Sequence, residues 1–158
     1  VAKQIVTSEY IWDNIRLKGG AYGGGCGFLN GNYFYMYSYR DPNVNKSYEV
    51  FKNVGNYLSE IDMDQKHLNR FIIGAVNVED APLKNNRINS IVLRRHYNGV
   101  TQERLDLRRE EMLSVSINDI REVGQELTTA MENIVMSTVS DQTSIEKSEL
   151  FKNIIVVK

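Results

Sequence analysis

The sequence has little cysteine, little histidine and no long hydrophobic run. Its single cysteine, Cys26, excludes an internal disulfide. Its two histidines, His67 and His96, lie far apart without a carboxylate at helical spacing, and no His-Glu-x-x-His pattern or its inverse occurs. Because zinc needs three or four protein ligands, we expect no metal site within this chain. No apolar run approaches the roughly 18 residues that a membrane helix needs, so we expect no membrane partner.

Neither sign of charge dominates the sequence. Lys plus Arg is 19 and Asp plus Glu is 20, which gives a net charge of -1. This balance argues against a nucleic-acid partner, which normally meets a basic face. The arginine pairs 94–95 and 108–109 have acidic residues nearby and indicate solvated helix faces. The chain has 158 residues, 42% of them hydrophobic, so we expect residues 1–158 to form one domain. It begins with Val1 rather than Met, and we expect a fragment of a longer protein.

Hydrophobic periodicity predicts an α+β order of about four strands and six or seven helices. The first helix is predicted from an N-cap at Ser8 to Lys18, with Ile11, Trp12 and Ile15 facing the core and Gly19 as its left-handed final residue. Later helices are predicted over about Asn45–Ile61, from Asp64, around Ile88–Val92, around Leu105–Met112, from a Ser116/Asp119 capping box, and over Ser144–Phe151. The predicted inward residues of the middle helices are Phe51, Val54, Leu58, Ile61, Leu68, Phe71, Ile72, Ala75, Ile88, Ile91 and Val92.

The strands are predicted from alternation. Phe28 to Tyr39 is typical of a hairpin with an Asn30-Gly31 turn. In its second strand, tyrosines at positions 33, 35, 37 and 39 alternate with other, mostly apolar side chains, which predicts a central strand covered on both faces. Two more strands are predicted over Ile134–Val139 and Ile154–Val157. Since four strands are few for a self-sufficient sheet, we expect part of the domain to be absent.

Six of the nine residues in Gly19–Gly27 are glycine, so backbone or ligand can approach this segment closely. The run matches neither phosphate-binding glycine pattern, and it follows a helix and precedes a strand, which is the wrong order for a nucleotide loop. Cys26 has no histidine nearby in sequence to activate it, so a small buried strand residue is favoured over a nucleophile. The tyrosine strand could stack single-stranded nucleic acid, but the neutral charge favours core or interface packing.

Arg16 and Tyr22 are the remaining candidates for a functional site. They lie six residues apart, with Lys18 and two glycines between them. From the residues alone, a helix-end arginine and a loop tyrosine are the favoured explanation, and a functional role stays open.

Several segments resemble a known family. The run Thr7–Gly24, with Arg16 and Tyr22 inside it, resembles the C-terminal half of presequence proteases, which are zinc metallopeptidases related to insulin-degrading enzyme and pitrilysin. The segment Ser38-Tyr39-Arg40-Asp41-Pro42-Asn43 is similar to a second signature at the expected distance. Ile72-Ile73-Gly74 and Arg108–Ser114 extend the resemblance through essentially the whole chain.

The resemblance implies a fold and a division of labour. Within the α+β class it implies a two-layer α/β domain of the pitrilysin/mitochondrial-processing-peptidase-like metallopeptidase type, here missing its opening strands. Such enzymes close two halves like a clamshell, and the N-terminal half holds zinc through an inverted His-x-x-Glu-His. Zinc is therefore the expected cofactor of the full-length enzyme, and none is expected in this fragment. Arg16 and Tyr22 match the arginine and tyrosine that reach the substrate beside the zinc.

These residue types suit that role. A tyrosine hydroxyl in a closed chamber is a preorganised donor to a carbonyl oxygen that gains negative charge during hydrolysis. Arginine is always charged and can hold substrate carbonyls. We therefore expect the C-terminal part of an oligopeptide-degrading zinc metallopeptidase, inactive alone, with its own N-terminal catalytic half and peptide substrates as partners.

Two alternatives to an enzyme part stay open. The chain could be a scaffold or interaction module in which Arg16 and Tyr22 are remnants, or an unrelated binding domain that shares only a glycine-rich loop. An inverted zinc motif upstream in the same reading frame would favour the enzyme. The missing strands predict an open sheet edge, so we expect the isolated fragment to self-associate. The sequence leaves the compartment undetermined between a bacterial cytoplasm and an organelle.

Overall fold

The computed structural model of the chain describes residues 1–29 and 33–156. The predicted Asn30-Gly31 turn and Val157 lie outside the described residues. The fold is mostly helical with a small sheet, which is compatible with the α+β prediction. The chain divides into two compact units, one made of Val1 with Asp62–Ile120 and the other of Ala2–Ile61 with Arg121–Lys158. Arg16 and Tyr22 both belong to the second of these.

That unit opens with α1 (Ala2–Ile5), which continues as a π-helix (Val6–Leu17). At its end, the Lys18 N–H donates to the Asp13 carbonyl five residues earlier, at 2.9 Å. Ser8 lies inside the π-helix, so the predicted N-cap is wrong. Trp12 is 45% exposed and does not face the core as predicted. The residues buried along the π-helix are Val6, Tyr10, Ile11 and Ile15. Their spacing of four or five residues follows the wider turn.

The turn after the π-helix uses two glycines for different reasons. Gly20 has a φ of +78°, so it carries the left-handed conformation that was predicted for Gly19. Gly19 is buried, and a Cβ there would lie 2.4 Å from the Ile15 carbonyl oxygen. The prediction was therefore wrong by one residue, because Gly19 is required for a close approach rather than for its φ.

The rest of the glycine run is a strand and not a loop. β1 (Gly23–Leu29) pairs antiparallel with β2 (Tyr33–Tyr39). A Cβ on Gly27 would lie 2.7 Å from the hydroxyl oxygen of its pairing partner Tyr35, so the tyrosine ring lies over the glycine. On the other face, a Cβ on Gly24 would lie 2.9 Å from Cγ2 of Ile11. Because its glycines have no side chains, the backbone of β1 packs directly between the π-helix and the tyrosine rings.

The tyrosines of β2 do not make it a central strand. Tyr33, Tyr35, Tyr37 and Tyr39 are all exposed, and the sheet has two strands among the described residues. The predicted strands over Ile134–Val139 and Ile154–Val157 are not strands where the structure describes them. Residues 134–139 do alternate between half-buried and exposed side chains. The alternation was read correctly, but a strand also needs a partner to accept its backbone hydrogen bonds.

The helix predicted over Asn45–Ile61 is two helices, α2 (Val44–Lys52) and α3 (Val54–Ser59). Its predicted inward residues, Phe51, Val54, Leu58 and Ile61, are all buried, which confirms that stripe. The unit is completed by most of α7 (Ile117–Ala130), a 3-10 turn (Met131–Asn133) and α8 (Gln142–Ser148). The predicted helix over Ser144–Phe151 is thus present but begins and ends earlier.

The other unit is helical. It contains α4 (Gln65–Glu79), α5 (Asn85–Tyr97), α6 (Gln102–Ser114) and the first residues of α7. The start predicted at Asp64 is confirmed, and the Asp64 side chain caps α4 by accepting from the His67 N–H at 2.7 Å. The Ser116/Asp119 capping box is also confirmed. No described helix of the chain has the length and apolar content to cross a membrane.

The inward faces of this unit are only partly as predicted. Leu68 and Ile72 are buried. In contrast, α5 and α6 bury none of their residues, and Val92 is 55% exposed, so the inward face predicted for α5 is wrong. Two arginines of α6 form ion pairs, Arg108 with Glu79 and Arg109 with Asp80. The solvated pairing was predicted, but the partners lie on or just after α4 rather than on α6.

Candidate functional site

Arg16 lies on the exposed side of the π-helix, one residue before its end. Its guanidinium carbon is 4.1 Å from the ring centroid of Trp12, four residues earlier, which is close cation–π geometry. This contact gives a role to the exposed indole of Trp12, whose spacing predicts a core position. Trp12 serves as a flat support that orients Arg16.

Tyr22 lies immediately before β1 with its side chain 67% exposed. Its backbone is fixed, since its N–H donates to the carbonyls of Tyr39 at 3.1 Å and Arg40 at 3.3 Å. The rings of Tyr22 and Tyr39 meet edge to face, with centroids 6.0 Å apart and planes at 82°. The residue is thus anchored by its main chain and presents its phenol to the surface.

The loop after β2 is tied to the turn between Arg16 and Tyr22. Asn43 donates from its side-chain amide to the Gly19 carbonyl at 2.7 Å. Asp41 accepts from the Asn43 N–H at 2.8 Å and from the hydroxyl of Ser47, which is buried. The two sequence signatures, separated along the chain, are therefore hydrogen-bonded to each other.

Arg16 and Tyr22 are close along the backbone but have different side-chain supports. The Gly20 N–H donates to the Arg16 carbonyl at 3.0 Å, and the Ala21 N–H donates to the Ile15 carbonyl at 3.1 Å. These bonds fold the connecting turn back on the end of the π-helix. Arg16 then rests on Trp12, whereas Tyr22 meets the aromatic residue at the end of β2. Both functional groups remain available at the surface.

A stacked pair of tyrosines, the buried Tyr10 and the half-buried Tyr57, fixes the inner side of the π-helix. Tyr10 and Tyr57 stack with ring centroids 4.5 Å apart. Tyr10 donates its hydroxyl proton to the Val50 carbonyl at 2.7 Å, and Tyr57 donates to a carboxylate oxygen of Glu9 at 3.3 Å. Burial raises the pKa of Tyr57 to about 12, and the negative charge of Glu9 adds to the effect. Both phenols stay protonated near neutral pH and act as structural donors.

Cys26 is a buried residue of β1, as the sequence favoured. Its Sγ lies 3.3 Å from the Thr7 hydroxyl oxygen and 3.7 Å from the Lys3 carbonyl oxygen. Burial raises the pKa of the thiol, which disfavours the nucleophilic thiolate. The geometry therefore indicates a packing role.

Metal-ligating side chains do not cluster in the described ranges. Over residues 1–29 and 33–156, no group of three or more His, Cys, Asp or Glu side chains could hold an ion. His67 lies in the first turn of α4 and His96 in the last turn of α5, as expected for helix-end histidines. The described residues do not fit a zinc site.

A cleft opens beside the linked loops. It has a volume of about 1030 Å³ and runs between β2 and residues 135–140, with Gly20, Tyr39 and Arg40 among its lining residues. On the far side, the Tyr48 hydroxyl donates to the Ser137 carbonyl at 2.7 Å. Its lining includes five consecutive residues of β2, Tyr35 to Tyr39, so one wall of the cleft follows the strand.

Comparison with known proteins places this geometry in a family. Residues 1–142 match the family model described as the PreP C-terminal domain. The chain is 33% identical over 159 residues to Presequence protease 1, chloroplastic/mitochondrial, of Arabidopsis thaliana, covering 96% of this chain and 15% of the relative. It is 35% identical over 129 residues to Presequence protease, mitochondrial, of Kluyveromyces lactis, covering 80% and 13%. It is 29% identical over 153 residues to Protein HypA of Clostridium perfringens, covering 96% and 16%.

The chain belongs to the presequence protease C-terminal domain family. It spans only 13–16% of the length of these relatives and so corresponds to a small part of each of them. The family match overturns the alternative of an unrelated domain that shares only a glycine-rich loop.

Two residues of the candidate site were missed by sequence reasoning. Trp12 was assigned to the core, although its spacing of four residues from Arg16 is the spacing at which helical side chains meet. Arg40 was read only as part of the second signature. Its position between a tyrosine strand and an Asp-Pro turn was the available signal, but its contacts with Tyr22 depend on tertiary structure.

Proposed function

We propose that this chain is the C-terminal part of a zinc-dependent, presequence protease-like metallopeptidase that degrades oligopeptides. The observation that carries the proposal is the hydrogen-bonded link between the two signature segments, which leaves Arg16 and Tyr22 exposed. The ring of Tyr22 contacts Tyr39 and Arg40, and both of these residues line the cleft. Family membership supports the peptidase class. The N-terminal catalytic half of the same protein and peptide substrates are the proposed partners.

In this proposal the two residues act on the substrate backbone. The Tyr22 hydroxyl donates a hydrogen bond to the scissile carbonyl oxygen. This hydrogen bond becomes stronger as negative charge develops on that oxygen. The Arg16 guanidinium, held against Trp12, donates to a neighbouring substrate carbonyl and fixes the register of the peptide. Both groups act only when the rest of the enzyme closes over them, because closure excludes competing water.

Zinc has no set of ligands among the described residues, so we place the ion in the remainder of the enzyme. The pitrilysin-like fold is also part of this proposal. It is supported by the family and by the α+β element content. The isolated chain would then supply substrate-binding groups without hydrolysing peptides.

Replacing Arg16 in the full-length protease tests the assignment. Arg16→Ala should lower kcat/KM for an oligopeptide by about 10- to 100-fold, because it removes a charged hydrogen bond. Arg16→Lys keeps the charge but not the planar fork and should lose less. Arg70→Ala, an exposed arginine on α4, is the control and should retain full activity. Peptide cleavage is measured by mass spectrometry or a quenched fluorogenic peptide, with unfolding temperatures recorded for each variant.

The scaffold alternative predicts a different outcome of the same experiment. If the chain is an interaction module with remnant residues, Arg16→Ala leaves peptide cleavage unchanged. A chelator provides a second readout, because the proposed zinc enzyme loses cleavage on chelation and regains it when zinc is restored. Unchanged cleavage in both measurements would overturn the proposed role of Arg16 and the zinc dependence together.

We also propose that the isolated chain self-associates through β2. β2 pairs with β1 along one edge, and no other described strand pairs with its second edge. The tyrosine side chains of β2 are exposed. Open edges with apolar side chains recruit further strands. Light scattering at high concentration should show dimers or larger species, and Tyr35→Lys/Tyr37→Lys should reduce them. Tyr97→Lys, at an exposed tyrosine of α5, is the matched control. A monodisperse wild-type monomer would contradict this proposal.

A further inference from the structure

Arg40 has a backbone conformation that its side chain does not favour. Its φ is 48°, in the left-handed region where a Cβ is crowded. Among the described residues, Glu149 is the other non-glycine residue with positive φ. Such conformations persist when surrounding contacts determine them, and they cluster at functional sites. The contacts around Arg40 therefore show what holds it.

Both the main chain and the side chain of Arg40 contact Tyr22. The Tyr22 N–H donates to the Arg40 carbonyl at 3.3 Å. The guanidinium carbon lies 5.7 Å from the ring centroid of Tyr22 and 5.4 Å from that of Tyr39. Because these two rings meet edge to face, Arg40 closes a three-member cluster. The Arg40 side chain therefore lies against the rings at the start of β1 and the end of β2.

The acidic neighbour of Arg40 is engaged elsewhere. The carboxylate of Asp41 accepts from the Asn43 N–H and from the Ser47 hydroxyl, and both bonds organise the following loop. Asn43 in turn donates to the Gly19 carbonyl. The described ion pairs do not include Arg40. Its guanidinium thus contacts the aromatic rings rather than a carboxylate.

We propose that Arg40 is a positioning residue that fixes the ring orientation of Tyr22 for the reaction. This inference rests on the proposed role of Tyr22 and extends it to a residue whose side chain does not have to touch the substrate. An exposed phenol with a free χ1 samples several rotamers, and only some aim its hydroxyl at a fixed point. The cation over the ring and the edge of Tyr39 restrict that choice, so the donor is preorganised.

The test is Arg40→Gly in the full-length protease. Glycine accepts the left-handed backbone without crowding, so the unfolding temperature should hold or rise. The kcat should nevertheless fall about three- to tenfold, as expected for the loss of one cation–π contact, with KM changed less. Arg40→Lys keeps a cation near the rings and should restore part of kcat. Glu149→Gly is the matched control, because it relieves the same kind of φ and should leave kcat unchanged.

A double variant separates this proposal from the one on which it rests. If Arg40 acts through Tyr22, adding Arg40→Gly to Tyr22→Phe should cause no further loss of kcat. Full multiplicative losses would show that Arg40 acts independently and would overturn the positioning role. A normal kcat for Arg40→Gly beside a low kcat for Tyr22→Phe overturns the positioning role alone. A normal kcat for Tyr22→Phe instead overturns the proposed role of Tyr22, and the positioning role falls with it.

Discussion

Tyr22→Phe in the full-length protease should lower kcat by about 10²- to 10³-fold, the range seen when one preorganised donor to an oxyanion is removed. The substitution deletes a single oxygen atom. Because the side chain is 67% exposed and its backbone N–H bonds are retained, the free energy of unfolding should change by less than about 0.5 kcal/mol. The expected signature is therefore a large loss of turnover in a protein of normal stability.

The division of the loss between kcat and KM decides what the hydroxyl does. If it bonds the carbonyl oxygen mainly in the transition state, kcat and kcat/KM fall together and KM stays near its original value. If it only helps to bind the peptide, KM rises and kcat is unchanged. Tyr97→Phe, at an exposed tyrosine outside the candidate site, controls for the loss of a surface hydroxyl. Wild-type kcat in Tyr22→Phe would remove Tyr22 from the reaction.

Local patterns in the sequence predicted those parts of the fold that local forces determine. The stripe Phe51, Val54, Leu58 and Ile61 is buried as its spacing required, even though the helix breaks at Asn53. The helix start at Asp64 and the Ser116/Asp119 capping box were also predicted, because a helix start depends on neighbours three residues away. These features need no information from distant parts of the chain.

The errors have local and distant causes. The π-helix places Trp12 outside the core, because a wider turn rotates each side chain away from its expected position in an α-helix. Cys26 was the one residue of the glycine run assigned to a strand, yet Gly23–Gly27 all belong to β1, whose bare backbone is covered by tyrosine rings on the neighbouring strand. Residues 134–139 have strand alternation without a strand partner among the described residues. In the last two cases the presence or absence of a contact with another segment decides the structure.

The candidate site also combines features that local sequence patterns predict with features that contacts between distant segments determine. Arg16 and Tyr22 were identified through a resemblance, since the residues alone favour a structural explanation. The support of Arg16 is local, because Trp12 lies four residues earlier on the same helix. The supports of Tyr22 are tertiary, because Tyr39 and the left-handed Arg40 come from the second signature segment. A sequence motif can therefore identify the candidate reactive groups without identifying all the residues that orient them.

Gly124→Ala should destabilise the chain by about 3 kcal/mol, the upper end of the usual cost of overpacking. Gly124 lies in the middle of α7, where it faces α3. A Cβ there would be 2.3 Å from the Ser59 backbone nitrogen and 2.9 Å from the Gly55 carbonyl oxygen. Gly55 faces α7 in the same way, since its own Cβ would lie 2.4 Å from the Thr128 backbone nitrogen. Backbone atoms cannot swing aside as a flexible side chain can, so the helices must separate.

Gly74→Ala provides the control with the opposite sign. Gly74 is also inside a helix, α4, but nothing lies within 4 Å of a Cβ at that position. Helix propensity alone predicts that alanine stabilises both positions by about 1 kcal/mol. Urea unfolding followed by the fluorescence of Trp12, the single tryptophan, reports on the unit that contains α3, and circular dichroism reports on all helices. If Gly124→Ala matched Gly74→Ala, the close approach of α3 and α7 would not hold. Opposite signs would show that Gly124 allows α7 to pack closely against α3, the helix that in turn contacts the π-helix.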